Sequence, residues 1–84
     1  MNSKITVYGA QWCHDTHRTR KQLNELGVDY KYVDIDDDPA AEAWITGQNN
    51  GKRVTPTVVL DDVMLFEPSN EEMEAALRAE GVIS

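Results

Sequence analysis

The sequence predicts an α/β fold in which a four-stranded mixed sheet and three helices follow the order βαβαββα. Short runs rich in β-branched and aromatic residues alternate with longer segments of helical pattern. Gly, Pro, Asn or Asp stands at most of the boundaries between them. The last two apolar runs are separated only by Asp61-Asp62, which is the spacing of a β-hairpin.

The first half of the chain is predicted as strand, helix, strand. Residues 5–8 form a β-branched run that favours a strand. Residues 14–26 are predicted as the first helix, with Leu23 and Leu26 marking its buried side. Residues 30–35 alternate in the manner of a second strand. A βαβ unit of this kind has parallel strands and a right-handed crossover.

The second helix is predicted to begin at Asp38-Pro39, because Asp is a good N-cap and Pro suits the first helical position. It extends to about residue 48, and Trp44 is expected in the core. The acidic run 34–38 resembles a metal-binding cluster. It is interpreted instead as a strand end plus this cap, since it lacks the Gly and the distal Glu of a calcium loop.

The second half closes with a hairpin and a third helix. Residues 57–60 and 63–66 are the predicted third and fourth strands. The capping box at 69–72 opens the last helix, which is expected to end near Gly81. In such sheets ligands bind beyond the carboxyl ends of the parallel strands, which is where the first strand leads to Cys13.

Size and composition predict a single soluble domain, residues 1–84, and we expect a monomer. The net charge of −7, from eight basic and fifteen acidic residues, argues against nucleic acid as a partner. One cysteine allows no internal disulfide, and no apolar run approaches the length of a membrane span. No signal peptide is recognised, so we expect a cytoplasmic protein without a membrane partner.

Cys13 is the candidate nucleophile. It follows a strand and a turn and opens a helix, where unpaired N–H groups and the helix dipole favour thiolate over thiol. The alternative is a buried structural cysteine. Basic residues near the thiol suit a small anionic substrate or are simply solvated helix faces; they are Arg18, Arg20, Lys21, Lys52 and Arg53.

Thr55-Pro56 enters a predicted buried strand, where a proline cannot donate to the sheet. One solution is a cis peptide bond, which would leave the Thr55 backbone able to pair with an extended ligand. An ordinary trans proline at the first position of a strand is the alternative.

These features together resemble the glutaredoxin family, which has the thioredoxin fold. The likeness rests on Trp12-Cys13 after the first strand, the Thr55-Pro56 turn and the helix start Pro68-Ser69-Asn70. The chain is most similar to small, mycoredoxin-like glutaredoxins, which share the Asn-Gly-rich stretch before Thr-Pro. The stretch Cys13-His14-Asp15-Thr16 departs from the family's usual dithiol pair, because Thr16 stands at the resolving position.

The resemblance implies a cis Thr55-Pro56 bond and a monothiol oxidoreductase that exchanges thiols with protein mixed disulfides. Glutathione or mycothiol would be the co-substrate, with no bound cofactor and no metal. Cys13 would attack, and the hydroxyl of Thr16 would stabilise the thiolate, unless Thr16 is merely an early-helix polar residue. The residues expected to contact substrate are Trp12, His14, Lys52, Arg53, Thr55, Pro56, Ser69 and Asn70.

Other interpretations remain open at this point. An imidazolium at His17, four residues after Cys13, would stabilise the thiolate, although His14 and His17 both suit a solvated surface. Two chains could share an iron–sulfur cluster through Cys13 and two small thiols, which makes a carrier rather than an enzyme. A redox-inactive binding module with the thioredoxin fold is the third possibility.

Overall fold

The computed structural model describes residues 4–84. Its elements are β1 (Ile5–Gly9), α1 (His14–Glu25), β2 (Lys31–Asp34), α2 (Pro39–Gln48), β3 (Thr57–Leu60), β4 (Val63–Phe66) and α3 (Asn70–Ala79). The predicted order βαβαββα is confirmed. The second strand is one residue shorter at each end than predicted, and the first helix ends one residue earlier.

The four strands form one mixed sheet in the order β2-β1-β3-β4. β1 pairs with β2 in parallel and with β3 antiparallel, and β3 and β4 form the predicted hairpin. This confirms the four-stranded mixed sheet. β1 is therefore central, and its carboxyl end lies where the sheet changes from parallel to antiparallel pairing.

The main hydrophobic core lies between one face of the sheet and the helices α1 and α3. Alternate residues of the central strands point into it, as the two-residue period of a strand requires. Its buried members are Ile5, Val7, Leu23, Val58, Leu60, Met73 and Leu77. On β1 the intervening Tyr8 packs against Trp44 of α2, with 5.7 Å between ring centroids. The sheet is thus covered on both faces.

Two predicted core positions are wrong. Leu26 is the C-cap of α1 and is 39% exposed, because the helix ends before its side chain can turn inward. Trp44 is 46% exposed, since only one side of its ring lies on Tyr8. The buried face of α1 instead consists of Thr16, Thr19 and Leu23, and hydrophobicity alone does not identify the two threonines.

The ends of the helices follow the predicted caps. Asp38 accepts a hydrogen bond from the Ala41 N–H at 3.0 Å. Ser69 and Glu72 form the reciprocal capping box that begins α3. Among residues 4–84, no helix is both long and apolar enough to cross a membrane.

Gly9, the last residue of β1, lets the first turn of α1 approach the strand closely. A methyl group added there would lie 2.7 Å from Thr16 Oγ1. Such an approach is available only to a residue without a side chain. This contact fixes where α1 begins relative to the end of β1.

We therefore expect Gly9→Ala to lower the free energy of unfolding by about 1–3 kcal/mol, the usual effect of overpacking. Gly47→Ala is the matched control: it lies inside α2 with open space around it, so the same change should stabilise the helix by about 0.5–1 kcal/mol. Urea unfolding of both variants measures the difference. Equal stability of the two variants would contradict a close β1–α1 contact.

Candidate active site

Cys13 lies between the carboxyl end of β1 and the start of α1. It is the N-cap of the helix, and its N–H donates to the Ala10 carbonyl across the turn at 3.1 Å. The side chain is partly exposed. Its thiol donates to the Thr55 carbonyl, with 3.6 Å between sulfur and oxygen. The structure thus places the predicted nucleophile beside the predicted Thr-Pro segment.

Thr16 holds the turn and the helix together beneath Cys13. Its side chain is fully buried, and Oγ1 accepts a hydrogen bond from the Ala10 N–H at 3.3 Å. A hydroxyl can accept and donate at once. Because the Ala10 bond uses Oγ1 as an acceptor, the hydroxyl proton can be directed at the Cys13 sulfur.

The surroundings of Cys13 lower the pKa of its thiol below the ordinary value. Burial is the largest influence and opposes this, because desolvation raises the pKa. Side-chain hydrogen bonds from Thr55 and Thr16, then the backbone N–H groups of Thr16 and Asp15, together outweigh it. The neutral Cys13 thiol makes no N-cap hydrogen bond. These N–H groups lower the pKa because they stabilise the ionised form of the sulfur. More thiolate, the nucleophilic form, is present as a result.

The Thr55-Pro56 bond is cis, as predicted. The segment is fixed on both sides: Thr57 Oγ1 donates to the Val54 carbonyl at 2.9 Å, and the Glu67 N–H donates to the Pro56 carbonyl at 2.8 Å. Within residues 4–84 no hydrogen bond engages the Thr55 N–H. That N–H is a donor available to a ligand.

Trp12 and Arg53 meet beside Cys13, but Arg53 is not the open cation that the sequence suggests. Its Nη2 lies 2.5 Å from Asp36 Oδ1, and its Nε lies 2.6 Å from Glu42 Oε2. The Trp12 indole donates to Asp36 Oδ2 at 2.7 Å, and the guanidinium lies 5.9 Å from the ring centroid. The sequence does not identify Asp36 and Glu42 as partners of Arg53, because Asp36 lies in an acidic run and Glu42 lies on the surface of a helix.

Two basic residues of α1, Arg18 and Arg20, also have structural partners. Arg18 pairs with Asp15 at 2.8 Å and donates to the Pro68 carbonyl, which ties α1 to the segment before α3. The Arg20 guanidinium stacks 3.9 Å from the centroid of Tyr32. Both arginines therefore contact other parts of the fold, and Arg20 lies on the flank of α1 with Tyr32.

The histidines and Lys52 lie at the surface. His14 begins α1 and is exposed. His17 donates from Nε2 to the Gln11 carbonyl in the turn before Cys13, so it supports the turn. Lys52 is exposed, and its backbone N–H donates to the Asn49 carbonyl at 3.0 Å.

Ser69 and Asn70 are used mainly to build the helix junction. The Ser69 hydroxyl accepts from the Glu72 N–H at 3.1 Å. The Asn70 carbonyl accepts from Gln22 of α1 at 2.8 Å. These bonds hold the start of α3 against α1, while the Asn70 side chain is left to face solvent.

No group of three or more metal-binding side chains occurs within the described part of the chain. A depression of about 390 Å³ lies on the flank of α1, lined by His17, Arg20, Lys21, Asn24 and Glu25. Its lining does not include Cys13. Cys13 itself lies between the exposed Trp12 and the largely buried Thr55, outside this depression.

We expect iodoacetamide labelling of Cys13 to show a pH midpoint below that of a free cysteine, and Thr16→Val to raise this midpoint because it removes a donor to the thiolate. Thr16→Ser keeps the hydroxyl and is the matched control. A wild-type midpoint at the free-cysteine value, or equal midpoints in the two variants, would contradict the assignment.

The same shift predicts how stability depends on pH. Because the folded-state pKa of Cys13 is lowered, its stabilising contribution is complete above the unfolded-state pKa and is lost as pH falls through the folded-state pKa. The difference in unfolding free energy between wild type and Cys13→Ser should therefore grow with pH across that window. Urea titrations at several pH values measure it, and a difference that is flat or shrinks is the contrary result.

Comparison with known proteins is consistent with this geometry. The family model described as Glutaredoxin matches residues 5–65. Mycoredoxin 1 of Corynebacterium glutamicum is 35% identical over 60 residues, which are 71% of this chain and 73% of that protein. The glutaredoxin structure from Archaeoglobus fulgidus has a TM-score of 0.79 at 22% identity, covering 90% of this chain and 87% of that one. The Escherichia coli NrdH-redoxin structure has a TM-score of 0.76 at 24% identity, covering 84% and 91%. The chain therefore has the thioredoxin fold and belongs to the glutaredoxin family.

Proposed function

We propose that this glutaredoxin-family protein is a monothiol oxidoreductase that reduces protein mixed disulfides with a small thiol as co-substrate. One observation carries the proposal: Cys13 is partly exposed at the start of α1, 3.6 Å from the Thr55 carbonyl, with a lowered pKa. A lowered pKa and access to solvent are the two properties that a reactive cysteine needs.

In the first step the Cys13 thiolate attacks the small-thiol sulfur of a protein mixed disulfide. The disulfide of the substrate breaks, a new disulfide forms between Cys13 and the small thiol, and the protein thiolate leaves and takes a proton from solvent. Thr16 and the N–H groups at the start of α1 stabilise the attacking anion.

In the second step the thiolate of another small-thiol molecule attacks the mixed disulfide on Cys13. The products are the free enzyme thiol and the oxidised, disulfide-linked small thiol. The two steps transfer one disulfide from the protein substrate to a pair of small thiols, and they need only the single cysteine of this chain. No bound cofactor enters the cycle.

The contacts around Cys13 suggest how the small thiol is held. The unpaired Thr55 N–H can donate to an amide carbonyl of the ligand, in the manner of strand addition. Trp12, which is 65% exposed, offers an apolar wall beside the sulfur, and the buried Pro56 follows Thr55 directly. His14, Lys52, Ser69 and Asn70 would form the rim. The similarity to a mycoredoxin supports mycothiol over glutathione as this thiol.

A peptide carrying one cysteine as a mixed disulfide with mycothiol, or with glutathione, tests the function directly. Chromatography measures the rate at which the peptide thiol is released in the presence of the matching free thiol. We expect wild type to accelerate release of the peptide thiol. The rate should be higher with the mycothiol disulfide and free mycothiol than with the glutathione disulfide and free glutathione. Cys13→Ser should fall to the uncatalysed rate, and Asp62→Asn, in the turn between β3 and β4, should behave as wild type.

A wild-type rate equal to that of Cys13→Ser with both substrates would overturn the proposal. Absorbance after anaerobic reconstitution with iron and sulfide addresses the carrier alternative. An inactive chain that dimerises around a cluster through Cys13 would support the carrier. An inactive chain without a cluster would support a redox-inactive binding module.

Thr16→Cys is expected to create a dithiol pair, because position 16 lies one turn after Cys13 on the same helix. Wild type should fail to reduce insulin without a small thiol, since nothing resolves its mixed intermediate, whereas the variant should gain measurable insulin reduction. Turbidity of precipitating insulin chains reports the reaction, and Thr16→Ser is the control. Robust insulin reduction by wild type alone would contradict a monothiol mechanism.

A further inference from the structure

The surface beside Cys13 carries a compact cluster whose charged side chains have no part in the proposed reaction. We call Trp12, Asp36, Glu42 and Arg53 the Arg53 cluster. It joins four parts of the chain: the turn before Cys13, the turn after β2, helix α2 and the segment before the cis-proline. Cys13 follows Trp12 directly, and Thr55, which accepts from the Cys13 thiol, is two residues after Arg53.

The carboxylates of the cluster occupy the edge of Arg53 that would otherwise receive a ligand. Nε and Nη2 form the side-on edge of a guanidinium, which suits bidentate binding of one carboxylate. Here Glu42 takes Nε at 2.6 Å and Asp36 takes Nη2 at 2.5 Å. Both carboxylate oxygens of Asp36 are engaged, because the second one accepts a hydrogen bond from the Trp12 indole at 2.7 Å.

The charge of the cluster follows from these pairs. One guanidinium and two carboxylates leave one net negative charge where the sequence suggested a positive one. The neighbouring Lys52 is exposed and adds a cation on a flexible stem, while the exposed Asp37 adds another carboxylate. An incoming carboxylate therefore meets a cation that is already neutralised.

We propose that Asp36 and Glu42 determine the specificity of the site by neutralising Arg53, so that it favours a small thiol without a carboxylate on the side facing Trp12. This inference rests on the proposed function, since it concerns the thiol that reacts with Cys13. Asp36 and Glu42 act through Arg53 and Trp12 and are positioning residues; they do not touch the sulfur.

The test compares two disulfides that differ in charge. Oxidised glutathione carries carboxylates, whereas bis(2-hydroxyethyl) disulfide has none. Intact mass against time gives the rate constant for mixed-disulfide formation on Cys13 with each. The ratio of the two rate constants is compared between variants, because a change in the intrinsic reactivity of the thiol affects both rate constants alike and cancels. The variants are wild type, Asp36→Asn/Glu42→Gln, the same pair with Arg53→Gln, and Asp62→Asn/Asp61→Asn in the distant β3–β4 turn as a control of equal charge change.

We expect the Asp36→Asn/Glu42→Gln variant to raise the ratio of the glutathione rate to the uncharged rate by about three- to tenfold at low salt, the size expected for two surface charges a few ångströms from the ligand. The gain should shrink at high salt. Adding Arg53→Gln should remove most of the gain, because the released cation is its source. The control pair should leave the ratio close to wild type.

A ratio unchanged by the Asp36→Asn/Glu42→Gln variant, or raised equally by the control pair, would overturn the specificity proposal even if wild type turns over mixed disulfides normally. Conversely, a chain that fails in the peptide turnover assay but shows the Arg53-dependent change of ratio would retain the specificity proposal and lose the proposed function. A thiol that reacts with neither disulfide would overturn both.

Discussion

The junction between β1 and α1 and the pKa of Cys13 both depend on one side chain, Thr16. Its Oγ1 accepts from the Ala10 N–H, which fixes the turn after β1, and its bulk fits against Gly9, which has no side chain. The same hydroxyl helps to lower the pKa of Cys13. A cysteine at this position could resolve a disulfide. In this chain Thr16 instead joins strand to helix and stabilises the thiolate. The position therefore has a defined structural and electrostatic role without a second thiol.

The second constraint is that acidic side chains also lie on the surface beside Cys13. The protein as a whole has a net charge of −7. An unpaired arginine beside the cysteine would therefore stand out as a binding site for an anionic ligand. Instead Asp36 and Glu42 close around Arg53, and Asp36 also holds the Trp12 indole. The pairs are partly exposed, so their contribution to stability is small. Their effect is to set the orientation of Trp12 and the local charge near Cys13.

The architecture was predictable because each element has a local signal. β-branched runs mark the strands, Asp38-Pro39 and Ser69 mark helix starts, and Asp61-Asp62 marks the hairpin, and all of these occur where expected. The position of Cys13 next to Thr55 followed from the family resemblance. The partners of Arg53 did not, because they come from the turn after β2 and from α2, and only the tertiary structure brings them together. Leu26 and Trp44 show the same limit: both are apolar, and their exposure depends on where a helix ends and on which side of it faces the sheet.

In the proposed cycle Cys13 alone carries a small thiol between two partners. Mass spectrometry of the intact protein, first with oxidised mycothiol and then with the reduced thiol, would follow this transfer. We expect a single mycothiol adduct that maps to Cys13 and is absent from Cys13→Ser. Reduced mycothiol should then remove it completely, with one equivalent of oxidised mycothiol formed. A protein that gains no adduct, or that forms a disulfide-linked dimer through Cys13 in place of the adduct, would rule out this cycle.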